Sequence, residues 1–132
     1  MKMKIVSLIA FLGAYSLCIG QSISVDSLKA QLSSFPKDTS KVKLLLKIAT
    51  VYRGTDPALA IPYANEAKEL SADLNYPTGV ALAYKYVGLA NLDQSKYVQA
   101  IENFNSSLKV FQDKDVKVGV SNIQNNIGVV YK

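Results

Sequence analysis

The chain holds no histidine, a single cysteine and ten Asp and Glu residues. Without imidazole there is no Ser-His or Cys-His nucleophile and no histidine-based metal site. Two carboxylate pairs remain, Asp113 with Asp115 and Glu66 with Glu69. The first falls between two apolar, helix-periodic segments and the second on one helical face. Carboxylates so placed are ordinarily solvated and seldom do acid–base work. Gly79 and Gly119 precede helical runs, but no glycine-rich phosphate loop surrounds either, so both read as tight-packing positions. Tyr52, Tyr84, Tyr86, Tyr97 and Tyr131 could stack a flat ligand. Their helical spacing makes them core residues first. These residue types suit binding rather than catalysis, and they imply no cofactor.

The N-terminus carries an address. Lys2 and Lys4 precede an uncharged apolar run from Ile5 to Ile19, and Cys18 and Gly20 place small residues just before Gln21. This is the pattern of a secretory signal peptide over residues 1–20, cleaved after Gly20, and it predicts an exported chain, periplasmic or secreted. A retained anchor is the alternative, but the run is shorter than the roughly 20 residues of a spanning helix. Lipidation of Cys18 is disfavoured because bulky Leu17 stands where a lipobox needs a small residue. Cleavage removes the one cysteine, so no disulfide is expected in the mature chain. Loss of Lys2 and Lys4 lowers the formal net charge from +5 to +3. That charge, one arginine (Arg53) and scattered lysines argue against nucleic acid as a partner.

The elements that position the remaining residues repeat. Gly79-Val80 recurs as Gly119-Val120, Ala60-Ile61 as Ala100-Ile101, and Gly88 as Gly128, each forty residues on. A repeat of this length sets the architecture, because one helical hairpin cannot bury its own apolar face and must stack on the next. An amphipathic segment over Ser22–Ser34, capped by Ser24 or Asp26, comes first and ends at Phe35-Pro36. With the linker that follows it forms an N-terminal cap over residues 21–40. Helices are then predicted over Val42–Tyr52, closed by Gly54, and from Pro57 to about Leu74, with Asp56 as N-cap and Pro62 inside. Further helices are predicted over Val80–Leu92, Lys96–Phe111 and from Val116 or Lys117 to Lys132. Thr39 or Ser40 is the predicted cap of the first repeat helix. No segment alternates with period two long enough to be a strand. The segment Val80–Leu92 is apolar or small almost all round, which predicts burial on nearly every side.

Within a unit, Tyr84-x2-Val87-Gly88 is followed by Ala100-x3-Phe104. Gly88 and Ala100 permit close approach, and Phe104 fills the gap between helices. This spacing resembles the tetratricopeptide repeat (TPR). The first unit reads Leu45-x2-Ile48-Ala49-x2-Tyr52 and then Ala60-x3-Ala64, and a third begins Gln124-x2-Ile127-Gly128-x2-Tyr131. The resemblance implies an all-α, right-handed solenoid of helical hairpins over residues 41–132, with units at 41–79 and 80–119 and the start of a third at 120–132. The period exceeds the usual ~34 residues by about six. Those six are expected at the ends of the second helices, near Ala72–Tyr76 and Gln112–Val116.

In the resembled family the first helices line a concave groove. Carrying over the register of Gly88 nominates Lys85 and Leu89 as ligand contacts in the second unit, Leu46 and Thr50 in the first, and Asn125 and Val129 in the third. One subclass grips peptide carboxylate termini with Lys and Asn on its first unit. Leu46 and Thr50 stand there instead, so that clamp is not expected. The resemblance implies a non-catalytic scaffold for a protein or peptide partner. The alternative it carries is the sensory input region of a membrane-bound signalling protein, because the sequence up to Lys132 is similar to the exported part of Bacteroidetes TPR signalling proteins. Ile123, Ile127, Val130 and Tyr131 form an apolar face on the last helix that is expected to self-associate or to meet further repeats.

Overall fold

The computed structural model describes residues 24–132, so the expectations for residues 1–20, signal peptide included, lie outside it. The described residues form helices alone: α1 (Val25–Gln31), α2 (Thr39–Arg53), α3 (Pro57–Asp73), α4 (Pro77–Asp93), α5 (Tyr97–Asp113) and α6 (Lys117–Val130). Each packs on the next, α2 also touches α4, and α4 also touches α6. No described helix is long and apolar enough to cross a membrane.

From α3 to α5 every helix has 17 residues and every link has three. The forty-residue period is therefore two equal halves of twenty, and the surplus over a shorter hairpin is shared by both helices. It does not collect at Ala72–Tyr76 and Gln112–Val116, where the chain instead turns. The boundaries expected at 79/80 and 119/120 fall inside the first turns of α4 and α6.

Three links share one geometry. Asn75, Ser95 and Asp115 adopt left-handed φ values of 51°, 59° and 52°. The next amide reaches back five residues: Tyr76 N donates to Ser71 O (2.8 Å), Lys96 N to Asn91 O (2.8 Å) and Val116 N to Phe111 O (2.9 Å). This is the Schellman closure, which satisfies carbonyls that a helix end would leave open. Gly54 behaves otherwise. It ends α2 in the right-handed region, at φ −79°. At the helix starts, Ser24 caps α1 as expected, whereas Asp38, not Thr39 or Ser40, caps α2 through its carboxylate to Ser40 N (2.8 Å) and Lys41 N. Asp56 occupies the N-cap position of α3 without a side-chain capping bond, and Pro57 follows at the first helical position.

Helix α4 is the hub. No residue from Val80 to Leu92 is exposed, because α2, α3, α5 and α6 surround it. On one side an alanine-rich seam of Ala49, Ala60, Ala64 and Ala90 with Val87 brings α2, α3 and α4 together. On the other, Phe104 of α5 is fully buried with Ala81, Ala100, Phe111 and Ile123. A Cβ on Gly88 would lie 2.6 Å from the Phe104 ring and 3.2 Å from the Ala100 carbonyl. The crossing of α4 and α5 thus depends on hydrogen at that position. Ser107 adds a buried bond across the same pair, its hydroxyl donating to Ala81 O at 2.7 Å.

The two junctions differ in how they fill one space. Beside Gly119 the ring of Phe111 packs in, and beside Gly79, forty residues earlier, the ring of Tyr76 does so. Phe111 and Val116 in one unit are thus replaced by Ser71 and Tyr76 in the other, with the aromatic moved from helix to link. The exchange leaves the Ser71 hydroxyl fully buried without a hydrogen-bond partner.

At the N-terminal edge α1 covers α2 through Leu28 against Leu44 and Ile48. Beside it Tyr52 and Tyr63 stack, with ring centroids 5.5 Å apart. Hydrogen bonding to Tyr52 first, then the charges of Tyr52 and Tyr63, hold the Lys29 ammonium above its ordinary pKa.

Candidate partner-binding face

The face in question is carried by α2, α4 and α6. Arg53 at the end of α2 grips Asp93 at the end of α4, with Nε at 2.7 Å from one carboxylate oxygen and Nη2 at 3.2 Å from the other. A two-point guanidinium–carboxylate pair fixes orientation as well as distance. It holds the C-terminal ends of α2 and α4 side by side, so the two helices run in the same direction.

Along that junction Leu46 of α2 shares one core cluster with Ala83 of α4, on which Leu82 and Tyr86 also pack. Lys43, Lys47 and Thr50 lie one turn or less from Leu46 and are exposed. Lys85 is half-buried, its ammonium 5.6 Å from the centre of the Tyr86 ring. Leu89, one turn along, is half-buried against the cluster of Phe104 and Ile123. On α6, Asn125 and Val129 are exposed.

Of the six nominated contacts, five therefore have surface to offer. Leu46 does not. It is 6 % exposed and belongs to the core, because α4 lies close enough to cover it. Its place on the surface is taken by Lys43 and Lys47, which the carried-over register did not nominate. Their signal was present in the sequence as lysines four residues apart on an amphipathic helix. Thr50 has a local task as well, its hydroxyl donating to Leu46 O at 2.9 Å.

Two aromatic residues expected in the core stand outside it. Tyr97 is 53 % and Tyr131 is 76 % exposed. They flank a groove of about 350 Å³ with Val98, Ile101, Glu102 and Val130, on the side of α5 and α6 where no further helix packs among the described residues. Gly128 lies on the same edge, with nothing within 4 Å of where its Cβ would be.

The carboxylate pairs are dispersed. Asp115 is a link residue in left-handed backbone, and Asp113 ends α5 beside a separate cleft. Glu66 and Glu69 line a polar cleft of about 190 Å³ with Asp73, facing Lys37 and Lys41. Comparison of the chain with protein families, with curated proteins and with solved structures finds no match.

Proposed function

We propose that the chain is a right-handed TPR-like solenoid that holds a protein or peptide partner on the face of α2, α4 and α6, without catalysis. The observation that supports this is the pattern of next-nearest contacts: α2 meets α4 and α4 meets α6, whereas α3 and α5 do not touch. Helices at positions one, three and five of such a stack line its inner side, and helices two and four its outer side. Repeat arrays use an inner surface of this kind to grip extended segments. The residues on it are Thr50, Lys85, Leu89, Asn125 and Val129, with Lys43 and Lys47 in place of Leu46. The apolar edge at Val130 and Tyr131 is a second surface, suited to another helix. The signal-like pattern of residues 1–20 supports an exported location for this scaffold.

Site-specific photo-crosslinking tests the reading. A photoreactive residue at Thr50 or Asn125 is expected to capture a discrete partner in the native compartment. The same group at Glu102 or Lys109 on α5 is not. Equal labelling from both sides, or none from the inner face, would refute it.

A further inference from the structure

Charge is sorted by helix in a way that a walk along the chain conceals. Helices α2, α4 and α6 carry Lys41, Lys43, Lys47, Arg53, Lys85 and Lys117 against one acid, Asp93. That acid is held by Arg53. Helices α3 and α5 carry Lys68 and Lys109 against five acids, Glu66, Glu69, Asp73, Glu102 and Asp113. One set of helices is basic and the other acidic, although the lysines look evenly scattered in sequence. Lys41 lines the polar cleft together with Glu66 and Glu69. Among the described residues, Lys43, Lys47 and Lys85 have no carboxylate within ion-pair distance.

These three lysines stand on two helices that pack against each other. Lys43 and Lys47 are one helical turn apart, which places their Cβ atoms about 5–6 Å from each other. Lys85 comes from the neighbouring helix α4, its ammonium 5.6 Å from the centre of the Tyr86 ring, and Tyr86 packs on the cluster that holds Leu46. Thr50 and Leu89 continue the same strip toward the Arg53–Asp93 pair.

Building on the partner-binding reading, we propose that the α2–α4 face recognises an acidic peptide segment. Lys43, Lys47 and Lys85 meet its side-chain carboxylates, and Leu89 meets an apolar side chain between them. Unanswered positive charge on a face without free acids steers such a segment in and rejects basic ones. The patch is too small to track a nucleic-acid backbone, for which about 6–10 phosphate contacts are usual. The one guanidinium available for phosphate is already bonded to Asp93.

Fluorescence anisotropy with the purified protein tests the proposal. The probe is a labelled, C-terminally amidated peptide of Glu, Leu and Ser, so that side chains alone supply carboxylates. Its Lys-for-Glu counterpart, a duplex oligonucleotide and phosphatidylglycerol vesicles serve as competitors. The Glu peptide is expected to bind, the Lys peptide not. Affinity should fall about tenfold between low salt and ~0.3 M, as ion screening requires. The triple variant Lys43→Glu, Lys47→Glu, Lys85→Glu should weaken binding by about tenfold or more, and the pair Lys96→Glu, Lys109→Glu by less than about twofold. Unchanged circular dichroism and melting would confirm that the triple variant folds. Absence of peptide binding, equal loss in both variants, or preference for oligonucleotide or vesicles would overturn the proposal. Should crosslinking at Thr50 succeed while charge reversal has no effect, the scaffold reading would stand and the acidic partner would fall.

Discussion

Gly88 and Gly128 occupy the same place in successive repeats, and replacing each with alanine should change stability in opposite directions. Alanine in a helix interior is favoured over glycine by about 0.8–1.0 kcal/mol. At Gly128 nothing stands within 4 Å of the new methyl group, so no steric cost offsets that gain. The site is two residues from the end of α6, where fraying reduces it to about 0.5 kcal/mol. At Gly88 the methyl would meet the Phe104 ring at 2.6 and 2.7 Å and the Ala100 carbonyl at 3.2 Å. Phe104 is fully buried, and the carbonyl is part of a helix backbone. Neither can yield without moving α5 off α4. Overpacking of this kind costs about 1–3 kcal/mol. After the propensity gain, Gly88→Ala should lose up to about 2 kcal/mol, so the two variants should differ by roughly 0.5–2.5 kcal/mol. Urea denaturation followed by circular dichroism measures both, provided that the slopes match the parent protein. Stabilisation by Gly88→Ala would refute the close crossing of α4 and α5. A loss at Gly128 would show that something packs on that edge in solution.

Three further outcomes are expected. Phe104→Ala removes the largest fully buried side chain and should cost about 3–5 kcal/mol by chemical denaturation; a change within about half a kcal/mol would place the ring outside the core. Ser71→Ala deletes a buried hydroxyl without a partner and should stabilise by about 1 kcal/mol, whereas destabilisation would mean that the hydroxyl is satisfied in solution. Ser95→Gly relieves a left-handed backbone conformation at φ 59° and should raise stability by about 0.5–1 kcal/mol, seen as a higher melting temperature; a lower one would show that the link is not left-handed.

Much of the helical pattern is legible in the chain because it rests on local spacing. Gly88, Ala100 and Phe104 stand at intervals that bring small residues and a ring to one crossing, and the structure brings them there. The helix ends were harder to read. Left-handed closure is usually marked by glycine, and here Asn75, Ser95 and Asp115 do the work, while Gly54, read as the stop of α2, does end that helix but in right-handed backbone. The N-cap of α2 was missed by one residue, since Asp38, Thr39 and Ser40 are all competent caps and only geometry selects among them.

The candidate site shows where spacing stops being informative. Leu46 and Lys85 hold the same register position in consecutive units, yet one is core and the other partly solvated. Ser71 and Phe111 are also equivalent, yet one leaves an unpartnered hydroxyl and the other fills a junction. Gly88 and Gly128 share a motif position, yet only the first has a ring against it. In each pair the register determines the direction in which a side chain points, and the neighbouring helix determines what it meets there. That neighbour is α4 for Leu46, and for Gly128 it is solvent among the described residues. Charge obeys the same logic. Lys43, Lys47 and Lys85 look unremarkable along the chain and become a patch only when α2 is laid beside α4. Helices α3 and α5, which alternate in sequence with α2, α4 and α6, carry most of the acids. A stack that alternates basic and acidic helices therefore separates charge in space while mixing it in sequence, which gives one face a sign of its own at a modest net charge.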